Sequence, residues 1–203
     1  MVPSHTSLAN IPLSAFAHSE NLNYISLPSN LLSIDEEAFY DCESLISIYL
    51  PDSLTSIGLR AFKGCLACRY IYLGRDLSLI KESAFEGLVN VSTLVIRSTH
   101  ISDLASNNKV FLSLGSNVND LLVYFKLGVE VIPAKLFYPS ALKDRLPNIQ
   151  KVVLPISLTE IHDYAFYELD ILLVEYYGNI DQYDSLTIGE HNSGLAKVKA
   201  RGI

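Results

Sequence analysis

Residues 56–65 read SIGLRAFKGC, and the spacing inside this stretch decides the fold. Ile57 stands five residues before Phe62, Ala61 directly precedes the ring, and Cys65 follows three residues later. The same spacing occurs upstream in SIDEEAFYDC and downstream in LIKESAFEGL, while the intervening residues change freely. Ala-Phe pairs fall at Ala15-Phe16, Ala38-Phe39, Ala61-Phe62, Ala84-Phe85 and Ala165-Phe166, and the first four phenylalanines recur at one fixed interval. Ile11, Ile34, Ile57, Ile80 and Ile161 hold the place five residues ahead. Ile132 with Leu136-Phe137 is a further copy, with leucine in the alanine place.

A second element keeps step with the first. It reads Leu22-x-x-Ile25-x-Leu27, Leu45-x-x-Ile48-x-Leu50, Cys68-x-x-Ile71-x-Leu73 and Val91-x-x-Leu94-x-Ile96. Beyond Ile96 the interval lengthens, and the next strand-like segments end at Phe125 and Leu154. Alternation within I-x-L predicts a short strand with one face buried. A period of about 20–29 residues built on L-x-x-L-x-L lies in the leucine-rich repeat range. Each coil cannot cover its own apolar side, so coils stack and share one core. On this reading Ile57, Ala61, Phe62 and Cys65 face inward, whereas Gly58, Leu59, Arg60 and Lys63 fall on the variable side.

The expected architecture is a leucine-rich repeat solenoid, α/β or mainly β. It is a curved stack of about seven coils, with short parallel strands on the concave face and turns or short helices on the return arms. The strand segments would end near residues 27, 50, 73, 96, 125, 154 and 176. At about 4.8 Å per strand they form a rod roughly 30 Å long. A single domain over 1–203 is expected, with regular repeats at 11–96, stretched repeats at 97–166 and a capping unit at 167–203.

Bulk properties narrow the function. The net charge is −7, half the chain is apolar (49%) and 18% is charged, which argues against disorder and against a nucleic-acid or anionic-lipid footprint. No apolar run approaches a bilayer-spanning length; LLVYF at 121–125 is typical of the longest. The opening MVPSHTSLANIPLSAF lacks a basic segment followed by an apolar one, so no secretory signal is visible. Three cysteines form no paired framework and fix no redox compartment.

The repeat resembles the BspA-like leucine-rich repeats, also known as the Treponema pallidum type. Their pattern L-P-x-x-L-x-x-I-x-x-x-A-F-x-x-C-x-x-L is nearly literal in LPDSLTSIGLRAFKGC and in LPSNLLSIDEEAFYDC followed by Leu45. The resemblance covers roughly Ile11 to Gly189 and degrades over 97–119, which lacks an Ala-Phe pair. The tail YYGNIDQYDSLTIG is similar to the family's terminal unit, with Tyr183 in its aromatic place and Leu186 and Ile188 after it. Such a unit would close the apolar end of the stack. The first feature, Ile11–Phe16, has no cap before it, so a preceding segment or a covering partner is expected there. The resemblance implies a non-catalytic protein-binding module of a cell-surface or secreted protein, adhering to host, matrix or cell-surface proteins. The alternative is a passive spacer within a larger surface protein.

Candidate chemistry is sparse, and neither a catalytic residue, a cofactor nor a metal is expected. CLAC at 65–68 is a C-x-x-C, yet its two cysteines sit in repeat slots filled elsewhere by leucine, and zinc requires further ligands. His162 occupies the slot of Asp35, Gly58 and Lys81, a variable outer place. Asp35-Glu36-Glu37 reads as a solvated face, and the glycosylation pattern Asn90-Val91-Ser92 places Val91 in a core slot. The informative surface is the one the strands display, bearing Tyr24, Tyr49, Tyr70, Tyr72, Tyr124 and Lys151 as candidate partner-binding residues. Tyrosine supplies stiff amphipathic contact area, although its strand propensity and cross-strand stacking account for such a row equally well. Residues 97–119 and 138–148 add chain that either carries specificity or is tolerated decay of the repeat.

Overall fold

The computed structural model describes residues 8–102, 104–105, 108–138, 146–195 and 198–200. Among the described residues there are fourteen short strands. They are β1 (Asn10–Ile11), β2 (Ser33–Ile34), β3 (Ser47–Tyr49), β4 (Ser56–Ile57), β5 (Tyr70–Leu73), β6 (Leu79–Ile80) and β7 (Thr93–Ile96). They continue as β8 (Leu121–Phe125), β9 (Val131–Ile132), β10 (Ile149–Leu154), β11 (Glu160–Ile161), β12 (Leu173–Tyr176), β13 (Thr187–Ile188) and β14 (Val198–Ala200). One α-helix, α1 (Ile180–Asp184), precedes β13, and a 3-10 turn spans Ser193–Leu195.

All strand pairs are parallel, and they sort into one long sheet and two small ones. The seven-stranded sheet runs β3-β5-β7-β8-β10-β12-β14. Its rungs keep the repeat's register: Tyr70 pairs with Thr93, Thr93 with Leu122, and Leu122 with Lys151. The longer coils therefore stay in step with the shorter ones. A register shift between Ile149 and Lys151 absorbs one extra residue. The isoleucine slots build a second wall of two-residue strands, β1-β2-β4-β6 and β9-β11-β13. This is a mainly β leucine-rich repeat solenoid, and among the described residues its return arms are turns and these short strands, with a helix, α1, only in the tail coil.

Two features of the long sheet differ from expectation. Residues 22–28 form no strand; among the described residues this coil keeps a single ladder bond, from Ile46 N–H to the Asn23 carbonyl (3.1 Å). Ile25 and Leu27 are left half-buried. The seventh strand is instead β14, whose Val198, Lys199 and Ala200 pair with Val174, Glu175 and Tyr176, one rung beyond the tail motif.

The core between the walls is a single file of rings. Phe16, Phe39, Phe62 and Phe85 stack at 5.0–5.4 Å with planes within 5° of parallel. Phe111 continues the file 5.5 Å from Phe85, followed by Phe137 at 5.4 Å and Phe166 at a further 5.6 Å. The irregular stretch 97–119 thus supplies a full coil, with Val110-Phe111 in the Ala-Phe place and Leu114 in the cysteine slot; all three are buried.

The turn carrying each ring has an unusual backbone. The residue two before phenylalanine has positive φ in every coil: Ser14, Glu37, Arg60, Ser83, Lys109, Lys135 and Tyr164. The residue two after does the same at His18, Asp41, Gly64, Gly87, Ser113 and Glu168. Alternating the sign of φ aims every second N–H at the next coil. Phe16 N–H donates to Ala38 O (2.8 Å), Phe39 N–H to Ala61 O (2.8 Å) and Phe62 N–H to Ala84 O (2.9 Å). Left-handed conformations cost L-residues about 1–2 kcal/mol each, and coil-to-coil hydrogen bonding offsets that cost. At Phe166 the acceptor is the Asn192 side chain (3.0 Å), and Glu168 N–H turns to Ser193 Oγ (3.3 Å). Asn192 and Ser193 thus replace the carbonyls of a further coil.

Candidate functional site: the tyrosine face of the long sheet

Pleating sends alternate side chains of the long sheet into the core and out to the surface. The outward places form two rows in register. One row is Ser47, Tyr70, Thr93, Leu122, Lys151 and Leu173. The other is Tyr49, Tyr72, Val95, Tyr124, Val153 and Glu175. Five of the six residues singled out from the sequence therefore share one surface. Tyr24 belongs to the coil that forms no strand, and at 66% exposure it is the most open of the group.

Tyr49 and Tyr72 occupy the same place on adjacent strands and stack at 4.5 Å with planes 15° apart. Tyr49 remains 50% exposed, so the stack presents ring surface to solvent. Burial pushes the Tyr49 hydroxyl above its usual pKa, reinforced by Tyr72, Tyr70 and Tyr24. The far end of the face is more closed. Val153 is 3% exposed, Lys151 Nζ holds Glu175 Oε2 at 3.0 Å, and Tyr124 meets Tyr177 edge-on at 6.4 Å. Lys126 Nζ lies 4.4 Å from the Tyr124 ring centre. The repeat pattern does not mark Tyr177, because it lies one residue past the strand.

The rim after the strands carries a charged cluster. Arg97 spans two coils to reach Asp52 with both guanidinium nitrogens (2.9 and 3.1 Å), and Arg75 approaches the same carboxylate at 3.6 Å. Gly74 lies on the intervening coil, where a Cβ would stand 2.0 Å from the Pro51 carbonyl oxygen. Only glycine fits there.

The other candidates resolve into structure. Cys42, Cys65 and Cys68 are free and buried. The Cys42 thiol donates to Phe16 O (3.0 Å) and Cys65 to Phe39 O (3.4 Å), and burial pushes Cys68 up to about 12. Such thiols are poor nucleophiles. Among the described residues, no three His, Cys, Asp or Glu side chains are grouped so as to hold a metal. His162 pairs with Glu160 (3.3 Å) at the surface. The Asp35-Glu36-Glu37 run is not purely solvated, since Arg60 bridges Glu37 (2.8 Å) and Glu36 (3.4 Å). Asn90 Nδ2 donates to the Leu66 carbonyl (2.8 Å) and Val91 is in the core. Within 138–148, residues 139–145 lie outside the described residues.

A second aromatic group, unmarked by the sequence reading, lies on the turns. Tyr138, Tyr164 and Tyr167 have ring centres 5.3–5.5 Å apart, and His191 stacks on Tyr164 at 4.4 Å. The rings pack on one another. A cleft of about 410 Å³ opens beside β6, lined by Leu79, Ile80, Ser102, Leu104 and Asn108 among others. It marks the place where no strand joins β6 to β9 among the described residues.

The fold, with its stacked coils and long parallel sheet, defines a leucine-rich repeat protein. The chain belongs to the BspA type leucine rich repeat region family, whose pattern matches residues 3–113 and 130–187 in six copies. Among solved structures, the leucine-rich repeat protein of T. pallidum is 24% identical with a TM-score of 0.50, over 82% of this chain and 69% of that one. A leucine-rich repeat protein from Bacteroides ovatus ATCC 8483 is 21% identical with a TM-score of 0.53; the match takes in 100% of this chain and 55% of that one. Both likenesses concern the fold. No curated protein matches the chain in sequence. No helix among the described residues is long and apolar enough to cross a membrane.

Proposed function

We propose that the chain is a non-catalytic protein–protein interaction module, a single repeat domain over 1–203 within a cell-surface or secreted adhesin-like protein. Its contact surface is the outer face of the long sheet, with Tyr24, Tyr49, Tyr70, Tyr72, Tyr124 and Lys151 as contacting residues. The observation that carries this reading is the half-exposed Tyr49–Tyr72 stack. A ladder that served stability alone would gain most by burying its rings, whereas stiff aromatics open to solvent supply binding energy at little entropic cost. Family membership supports surface placement and adhesion to host, matrix or cell-surface proteins. The test compares the native chain with Tyr49→Ala/Tyr72→Ala against a panel of purified matrix and cell-surface proteins, with thermal unfolding as the control for fold. Binding lost in the double variant at an unchanged melting temperature supports the reading. Equal binding by both chains removes the sheet face from it, and absence of any binding favours the passive spacer.

A further inference from the structure

The charges of this molecule are segregated. From one residue before each strand of the long sheet to three after it, the described basic side chains are Arg69, Arg75, Arg97, Lys126, Lys151 and Lys199. The acidic ones are Asp52, Asp76, Asp120 and Glu175. Two of these acids are already engaged: Asp52 by Arg75 and Arg97, Glu175 by Lys151. These pairs neutralise bases and acids alike, so the strand face carries a surplus of two positive charges, six bases against four acids, on a chain whose total is −7. The remaining acids concentrate on the turns and return arms, as in Asp35-Glu36-Glu37 and Glu160 with Asp163. Arg69, Lys126 and Lys199 are exposed.

The geometry points to an acidic polypeptide segment carrying apolar side chains as the occupant of this face. The inference deepens the proposed binding role and rests on it. Positive charge on one side of an otherwise acidic molecule orients an anionic partner during approach and repels a cationic one. Charge alone would suit a sulfated glycan or a nucleic acid as well. The face between the bases also carries apolar surface: Ile46, one residue before β3, is exposed, as are Tyr70 and Tyr49, and Leu122 and Leu173 are half-buried in the rows, while Val95 and Val153 are covered. Aliphatic and aromatic rows offer a polypeptide's apolar side chains a match that a glycan backbone lacks. The paired Asp52 and Glu175 hold Arg97 and Lys151 in place, which reduces the side-chain entropy lost on binding.

The test is selection of a phage-displayed random dodecapeptide library on the intact chain, with the charge of the enriched sequences as the readout. Enrichment of acidic sequences with apolar residues is expected. A synthetic peptide from that pool should bind at least about tenfold more weakly to Arg69→Glu/Lys126→Glu, and more weakly as ionic strength rises from about 0.1 M to about 1 M. Enrichment of neutral or basic peptides, or no enrichment, overturns the inference, as does retention of the chain by immobilised heparin in preference to every peptide. The two readings separate through Tyr49→Ala/Tyr72→Ala. Basic peptides that this variant no longer binds would refute the acidic partner and keep the sheet face. Acidic peptides bound equally by the native chain, the charge variant and the tyrosine variant would refute the sheet face itself.

Discussion

The coils up to Ile96 and those from 97 to 166 solve the same packing problem with different amounts of chain. In the first region the coils are short and uniform, the isoleucine wall is continuous from β1 to β6, and the phenylalanine planes lie within 5° of parallel. In the second, each coil is longer, the small wall is interrupted between β6 and β9 among the described residues, and the ring planes of Phe111 and Phe137, and of Phe137 and Phe166, lie 38° apart, although Phe111 stays within 8° of Phe85. Yet the centre-to-centre spacing of the rings stays at 5.0–5.6 Å throughout. The ring file and the long sheet are what the repeat must preserve, and the isoleucine wall can be opened. Most extra residues enter on the return arm, and the one that enters β10 is absorbed by the shift between Ile149 and Lys151, after which the rungs are back in step.

The largest predicted effect tests whether the two regions share one file. Phe62→Ala and Phe111→Ala should each destabilise the chain by about 3–5 kcal/mol, as expected for deleting a buried ring, in chemical denaturation. A cost under about 1 kcal/mol at Phe111 would show that the irregular coil is not part of the common core. Next comes the tightness of the short coils. At Gly58 a Cβ would stand 2.5 Å from Asp35 C and Glu36 N, so Gly58→Ala should cost about 3 kcal/mol. At Gly128 in the stretched region nothing lies within 4 Å; with φ at +100°, Gly128→Ala should cost only about 1 kcal/mol.

The irregular coil also has a device that the regular coils lack. Asn108 Nδ2 donates to Ala105 O (2.8 Å) and Lys135 O (3.1 Å), while its Oδ1 accepts from Val110 N–H (2.8 Å). Asn108→Ala should lose about 2 kcal/mol in thermal or denaturant unfolding by stranding those buried groups. The smallest effect is a gain. Lys135 carries a positive φ of 60°, and Lys135→Gly should raise stability by up to about 1 kcal/mol, read as a higher melting temperature.

Much of this architecture is readable from residue spacing. The I-x-x-x-A-F interval locates six of the seven stacked rings, and the L-x-x-I-x-L pattern locates six strands of the long sheet and which of their side chains face outward. Phe111 escapes because valine replaces alanine before it and no isoleucine stands five residues ahead. Its signal is Val110-Phe111 with Leu114 in the place that Cys65 holds after Phe62. The absence of a strand at 22–28 is not legible, because the L-x-x-I-x-L pattern there is as complete as in the coils that do form one. The positive-φ turns are equally hidden, since Glu, Arg, Lys and Tyr occupy them as well as Gly64 and Gly87. The outward tyrosines are legible as a row, but the basic bias of their face is not. It emerges only when residues from separate coils are brought to one surface.

Amide hydrogen exchange at Phe85 is the most direct test of a single continuous stack. Its N–H donates to the Val110 carbonyl (3.0 Å) across the boundary between the regular and stretched coils, as Phe62 N–H does to Ala84 (2.9 Å) within the regular region. The two amides should show protection of the same order. Exchange at Phe85 as fast as in a surface loop, with Phe62 still protected, would mean that the stack ends there and that the molecule is two shorter bodies.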